Sequence, residues 1–479
     1  MKVLCKIKIL PLAKDAIIMG CLYSQSRLSV IAILVSQSIL STTSFAAGFQ
    51  INEISPSLQG DATAGAAAAN NDVSAMFINP ATLSTLTGTQ GYLGASELFP
   101  HAKMTDAHAR HTVNIPGIPP SSITATVKGN HRQGSVSPSA FVPDGYFGWR
   151  INNKFVAGLA LIAPYGLKTA YDYDSVVRFA AVYSSVKTID INPALSYAIN
   201  DKLAIGGGFQ AQWMQATFSN FNGAYTGVAP IDALIAANFP THLRGEGWGY
   251  GYNLGILYKP FVNTRLGIGY RSQIAETLKG HGQQYVLPGE TVPAPSPNFL
   301  FNAQTRVNTA VKTPQILTLS AAHDIANWTL KASAQINFWD AFNQISINMP
   351  DAFATNSTIQ TRWRNAWFGA LGAEYHWTPV WTFRGGIAYD ETPTTSFRDP
   401  RIPDSDRYWV NIGASYTVNK HISIDAAYAH IFLQDQTVNV IQASGSSATS
   451  TAPLEVNQVS ANYSGSVDIV ALAARYKFN

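Results

Sequence analysis

Charge is scarce in this sequence: Asp, Glu, Lys and Arg make up only 13% of its 479 residues, against about a quarter in soluble globular proteins. Cysteine is almost absent, with Cys5 and Cys21 the only two. Beyond the N-terminus no apolar run is long enough to cross a bilayer as a helix. No Gly-x-Ser-x-Gly elbow and no Ser/His/carboxylate arrangement supports a hydrolase, so an enzyme is not expected. What remains is apolar content without apolar runs, together with 21 Tyr, 23 Phe and 10 Trp. A membrane β-barrel gives that combination, because lipid-facing and lumen-facing residues alternate and aromatic girdles mark both interfaces.

The N-terminus reads as an export signal. Lys2, Lys6, Lys8, Lys14 and Arg27 precede an apolar stretch from Leu28 to Leu40, and Ser44 and Ala46 supply small residues for cleavage after Ala46. Removing residues 1–46 takes away five bases and one acid (Asp15), so 32 Lys+Arg become 27 and 28 Asp+Glu become 27. The formal charge of +4 therefore belongs to the signal. A balanced mature chain has no net basic field, which argues against nucleic acid as a partner. Both cysteines leave with the signal as well, so disulfide and thiolate chemistry are excluded.

From about Gln90 to the end, period-2 segments alternate with turns. Tyr408, Val410, Ile412, Ala414 and Tyr416 fall on one face, with Asn411, Gly413, Ser415 and Thr417 on the other. Val470, Leu472, Ala474, Tyr476 and Phe478 repeat the pattern at the C-terminus. Short turns near Asn152-Asn153, Asn200-Asp201, Pro260-Asn263, Asp324-Asn327, Thr378-Pro379 and Asn419-Lys420 alternate with long connections near 100–136, 166–186, 220–246, 281–308, 350–364, 391–406 and 436–465. That ordering predicts an all-β transmembrane antiparallel barrel of about fourteen strands over 90–479, in contact with outer-membrane lipid. A single chain closes such a barrel, and a monomer is expected. Residues 47–89 lack the alternation and are rich in Ala, Gly, Asn and Ser. A segment of that size makes no core alone, and within a barrel it reads as a plug in the lumen. Ala64 to Ala69 suits a short helix and Asn79-Pro80 a turn.

The start Ala47-Gly48-Phe49-Gln50-Ile51-Asn52-Glu53 resembles that of the FadL/TodX family of outer-membrane transporters. The likeness continues, in family order, through Asn79-Pro80-Ala81, Ala163-Pro164-Tyr165-Gly166-Leu167, Ile191-Asn192-Pro193-Ala194-Leu195, Gly247-Trp248-Gly249-Tyr250, Tyr270-Arg271-Ser272, Trp381-Thr382-Phe383-Arg384 and Ile402-Pro403-Asp404-Ser405-Asp406-Arg407. One departure is the end Phe478-Asn479, since such barrels commonly end on the aromatic residue. The resemblance implies a plugged barrel in a Gram-negative outer membrane that takes up hydrophobic small molecules, fatty acids or hydrocarbons. Long-chain fatty acids come first, caught in an external groove, passed to an inner apolar pocket and released sideways through a kinked third strand.

Several residues are candidates for that path. Pro164 cannot donate to a ladder and Gly166 suits a bulge, so the two mark a kink or simply a strand end. By the resemblance, Asn79, Pro80 and Ala81 should sit against the third strand near the kink, and Phe49 should line the inner pocket. Arg178, between Val177 and Phe179, is the leading partner for a carboxylate, with Lys312 and Arg384 as weaker inward bases. Leu234 and Ile235, with Ile231 and Phe239 at helical spacing in a long loop, suit an external groove. Asp106, His108 and His111 have a spacing that can hold metal, but no further ligand accompanies them. The runs Gly206 to Gly208 and Gly245, Gly247, Gly249, Gly251 open no helix, so phosphate binding is rejected. Neither cofactor nor metal is expected. The rival readings are a general aqueous porin and a surface adhesin built on a barrel.

Overall fold

The computed structural model describes residues 48–114, 122–222, 239–284, 304–350, 356–444 and 455–478. The segment 1–46 expected to be a signal and the groove candidates Leu234 and Ile235 lie outside them. No described helix is long and apolar enough to cross a membrane. Fourteen strands do so instead. In chain order they are β1 (Gln90–Asn114), β2 (Ala140–Arg150), β3 in two pieces (Phe155–Ile162 and Gly166–Ala170), β4 (Tyr183–Ala198), β5 (Leu203–Asn222) and β6 (Phe239–Phe261). Next come β7 (Thr264–Arg271 and Ile274–Gln284), β8 (Thr305–Thr313 and Ile316–Ile325), β9 (Trp328–Asn337) and β10 (Ala366–His376). The series ends with β11 (Trp381–Asp390), β12 (Arg407–Thr417), β13 (Ile422–Ser444) and β14 (Glu455–Lys477).

Each strand pairs antiparallel with its neighbours, and β14 returns to β1 from Gln90↔Lys477 to Val113↔Glu455. Closure leaves no edge strand in hydrocarbon, where an unpaired backbone group costs several kcal/mol. Alternation sets the faces. Val410, Ile412, Leu472 and Val470 are exposed, whereas Asn411, Asp425 and Ala473 are buried toward the interior.

Strands run further than the sequence pattern indicates. β13 continues to Ser444 and β14 begins at Glu455, so most of the connection expected at 436–465 is sheet. β1 likewise continues to Asn114 and pairs with a short arm at Ser122–Thr126. In these extensions Val438, Val440, Val459 and Ala461 are buried, while the strand partners between them are mostly polar. Lipid no longer selects apolar side chains there, so the extensions lack the pattern that marks a membrane strand and form an ordinary wetted sheet where the sequence suggests loop.

The N-terminal segment packs on lumen-facing side chains through short helical turns. Ser55 caps Pro56–Gln59, Gly65 precedes a 3-10 turn at Ala66–Ala68, and Asp72 caps Val73–Phe77. Asn79 is not in a simple turn: its side chain accepts from Ala81 N and caps the 3-10 helix Pro80–Thr85, with proline at its first position. Buried ion pairs fasten the segment to the wall. Lys331 Nζ lies 2.8 Å from Asp61 and 2.6 Å from Glu374, and Arg475 Nη2 lies 3.4 Å from Asp72. Glycines set the distance of approach: a Cβ at Gly267 would overlap the Ala67 carbonyl, and one at Gly255 would overlap the Asn79 side chain.

Candidate functional site

Two prolines interrupt the wall between β2 and β3. Their ladder runs from Arg150↔Val156 up to Gly145↔Leu161 and stops. Just beyond Asp144 and Ile162 come Pro143 on one strand and Ala163-Pro164 on the other, and a proline has no N–H with which to continue. β2 above this point, from Ala140 to Asp144, pairs only with β1. On its far side β3 stays paired with β4, from Ile162↔Asp190 below to Gly166↔Lys187 above. Three residues (Ala163, Pro164, Tyr165) thus oppose two (Thr188, Ile189), which is a bulge. The gap ends where Ala170 N donates to Val136 O at 2.9 Å. It opens at the height of lipid-facing Phe99 and Ile191.

The N-terminal segment satisfies the backbone groups freed at the bulge. Ile51 N donates to Pro164 O at 2.9 Å and Gly166 N to Phe49 O at 2.8 Å, around a bridge between Gln50 and Tyr165. Thr188 supplies the rest: its Oγ1 accepts from Tyr165 N and donates to Tyr165 O. Gly48 N donates to Asp404 at 2.9 Å. Gly48 has φ +69, and a Cβ there would press on Trp363, so only glycine suits this turn.

That geometry drives Phe49 into an aromatic cluster. Its ring lies 4.8 Å from Trp339, 5.2 Å from Phe342, 5.7 Å from Trp363 and 5.8 Å from Tyr165. Leu167, Val186, Met214, Leu278 and Val307 from five strands continue the same buried apolar surface. Sequence reasoning singled out Phe49 but missed Trp339, Phe342 and Trp363. Their only signal was aromatic residues in a stretch between β9 and β10 where strand alternation lapses. Nearby, Glu53 is buried, which pushes its carboxyl up to about 7 although Arg407 pulls the other way.

Other candidates sit elsewhere. Asn79, Pro80 and Ala81 are not at the bulge. Asn79 Nδ2 donates to Ile256 O at 3.0 Å, Ser196 donates to Ala81 O at 3.2 Å, and Gly206 leaves room for Pro80. The motif therefore packs against β4, β5 and β6, and Phe49 to Ile51 occupy the place expected for it, because they are the residues in register with the broken strand. Arg178 is buried, and its Nη1 donates to Lys128 O at 2.8 Å and Ser175 O at 3.0 Å. It ties the connection before β2 to the one after β3 rather than facing the apolar cluster. Lys312 is on the outer face of β8, since Val311 and Thr313 are the inward residues of that period. Arg384 faces inward but is engaged by Glu374 at 2.9 Å. On β1, His111 is buried beside Asn457 and stacks on Phe179, whereas His108 is exposed beside Asp106. The two histidines are thus split between faces.

A closed barrel with a lipid-facing apolar belt, an apolar interior cluster and an interrupted wall defines an outer-membrane transporter for hydrophobic compounds. Residues 37–478 match the family described as outer membrane protein transport protein (OMPP1/FadL/TodX), and the chain belongs to it. It is 28% identical over 420 residues to a long-chain fatty acid transport protein of Salmonella typhi, covering 85% of this chain and 92% of that one. The Escherichia coli O6:H1 counterpart is 28% identical over 446 residues, covering 88% and 94%. The crystal structure of a Pseudomonas aeruginosa FadL homologue matches with a TM-score of 0.76 at 25% identity, over 90% of this chain and all (100%) of that one. The Ralstonia pickettii toluene transporter TbuX shares the fold, with a TM-score of 0.60 at 18% identity over 89% and 99% of the two chains.

Proposed function

We propose that this protein takes up long-chain fatty acids, holding the acyl chain against the aromatic cluster around Phe49 and releasing it sideways through the gap beside Pro164. Residues 47–89 act as the plug that denies the substrate a direct path to the periplasm. The observation that carries the reading is the pairing of Phe49 to Ile51 with the broken third strand. One short stretch both lines the apolar cluster and caps the wall opening, so displacing it links occupancy of the cluster to access to lipid. The similarity to two fatty acid transport proteins over most of both chains supports the substrate class. Leu234 and Ile235 are assigned to external capture.

The test is uptake of labelled oleate by cells lacking their own transporter and carrying the wild type or the double variant Pro164→Val with Gly166→Val. The substitutions supply a ladder donor and strand-favouring backbone. Uptake should fall at least tenfold while the heat-modifiable band and outer-membrane fractionation persist. Normal uptake by the variant would rule out lateral release. A large steady conductance of the wild type in planar bilayers would favour an aqueous porin instead.

A further inference from the structure

Arg271 ends the first piece of β7 and is 93% buried, with a relative exposure of 7%. Among the described residues its side chain makes no ion pair and no hydrogen bond, and its Nε is sealed without a partner. Four other arginines that face the interior are all engaged: Arg265 by Asp324, Arg384 by Glu374, Arg407 by Asp390 and Asp404, and Arg475 by Asp72. The Arg271 guanidinium rests instead on a face of Phe77, 4.0 Å from the ring centre, and lies 6.0 Å from the ring centre of Tyr165. Asp190 is near enough to feel its charge but is not in contact, and Gln210 donates to that carboxylate at 3.2 Å. Ring contacts offset part of the cost of burying a cation, yet they leave a planar fork of donors without an acceptor.

The position of this fork is what gives it meaning. Tyr165 belongs to the bulge and touches the aromatic cluster on one side, with Phe49 at 5.8 Å and Trp339 at 6.1 Å. Arg271 lies near the same ring, beside the N-terminal segment's Phe77. An apolar chain against the cluster would bring its end group past Tyr165 toward Arg271. We infer that Arg271 receives the carboxylate of a long-chain monocarboxylic acid at the floor of the apolar cluster, and so selects acids over neutral hydrocarbons. This rests on the fatty acid reading above. Guanidinium and carboxylate match in a bidentate pair, and that pairing is strong where water is excluded.

The experiment compares oleate with oleyl alcohol, which shares its chain length but has no charge, binding to the full-length protein in an uncharged detergent. The wild type should prefer oleate, Arg271→Met should lose roughly ten- to a hundredfold in oleate affinity with little change for the alcohol, and Arg271→Lys should keep part of the preference. If Arg271→Met weakens both ligands equally, or leaves the preference intact, the inference is overturned and Arg271 serves only to seat Phe77. If the wild type binds neither ligand, the fatty acid reading itself fails. Heat-modifiable migration of both variants excludes misfolding as the cause.

Discussion

Lys331→Met isolates the hold of the barrel on its N-terminal segment. In the wild type one ammonium bridges two carboxylates, Asp61 at 2.8 Å and Glu374 at 2.6 Å. Glu374 also has Arg384 at 2.9 Å, so it survives the change. Asp61 is fully buried, with a relative exposure of 0%, and Lys331 is its only ion-pair partner among the described residues. Methionine keeps most of the length of the side chain and removes the charge, leaving an orphaned buried carboxylate. Breaking a buried pair in this one-sided way costs about 3–5 kcal/mol. At about 1.4 kcal/mol per decade, local opening of the segment should become roughly a hundred to a few thousand times more frequent. Hydrogen exchange in detergent should report the loss of protection across residues 58–68, and planar bilayers should report brief conductance bursts absent from the wild type. Adding Asp61→Asn to Lys331→Met removes the stranded charge and should restore much of the protection. Unchanged exchange in the single variant, or a double variant no better than the single, would refute the argument that this pair fastens the segment.

Glu53 should make the same segment sensitive to pH. Its carboxyl is raised to about 7 by burial, so the folded state holds a proton that the unfolded state releases near the ordinary value of 4.5. The stability it contributes is present at low pH and is lost as pH rises through about 7; protection of residues 48–55 should weaken over that range, and Glu53→Gln should flatten the dependence. Gly267→Ala should displace the segment, because the added methyl meets the backbone carbonyl of Ala67, costing about 1–3 kcal/mol or more. Gly369→Ala, where nothing lies within 4 Å of the added carbon, is the matched control and should leave heat-modifiability and exchange unchanged.

Much of the barrel was legible because a bilayer imposes a strict rule on each strand. Apolar residues must face lipid at every second position, so Val410, Ile412, Val470 and Leu472 announced both their secondary structure and their orientation. Above the lipid that rule lapses, and β13 beyond Gln436 went unread as strand. The site was harder. Pro164 and Gly166 carried a local backbone signal, but Pro143 was overlooked, since one proline in a strand is uninformative until its neighbour across the ladder is known. Arg178 and Lys312 were chosen for charge, and charge in one dimension says nothing of which face a residue occupies or which carbonyls surround it.

Composition, export pattern and alternation determined by themselves that this chain is a membrane barrel with a distinct N-terminal segment, because those properties depend on near neighbours and on the solvent each face must meet. Only the tertiary structure decided that Phe49 to Ile51 complete the broken third strand while Asn79 packs on β4 to β6. It also decided that Arg271, packed on Phe77, lacks an acceptor among the described residues. Each of these depends on residues far apart in sequence meeting across a closed sheet, and barrel closure, a long-range event, sets which of them meet.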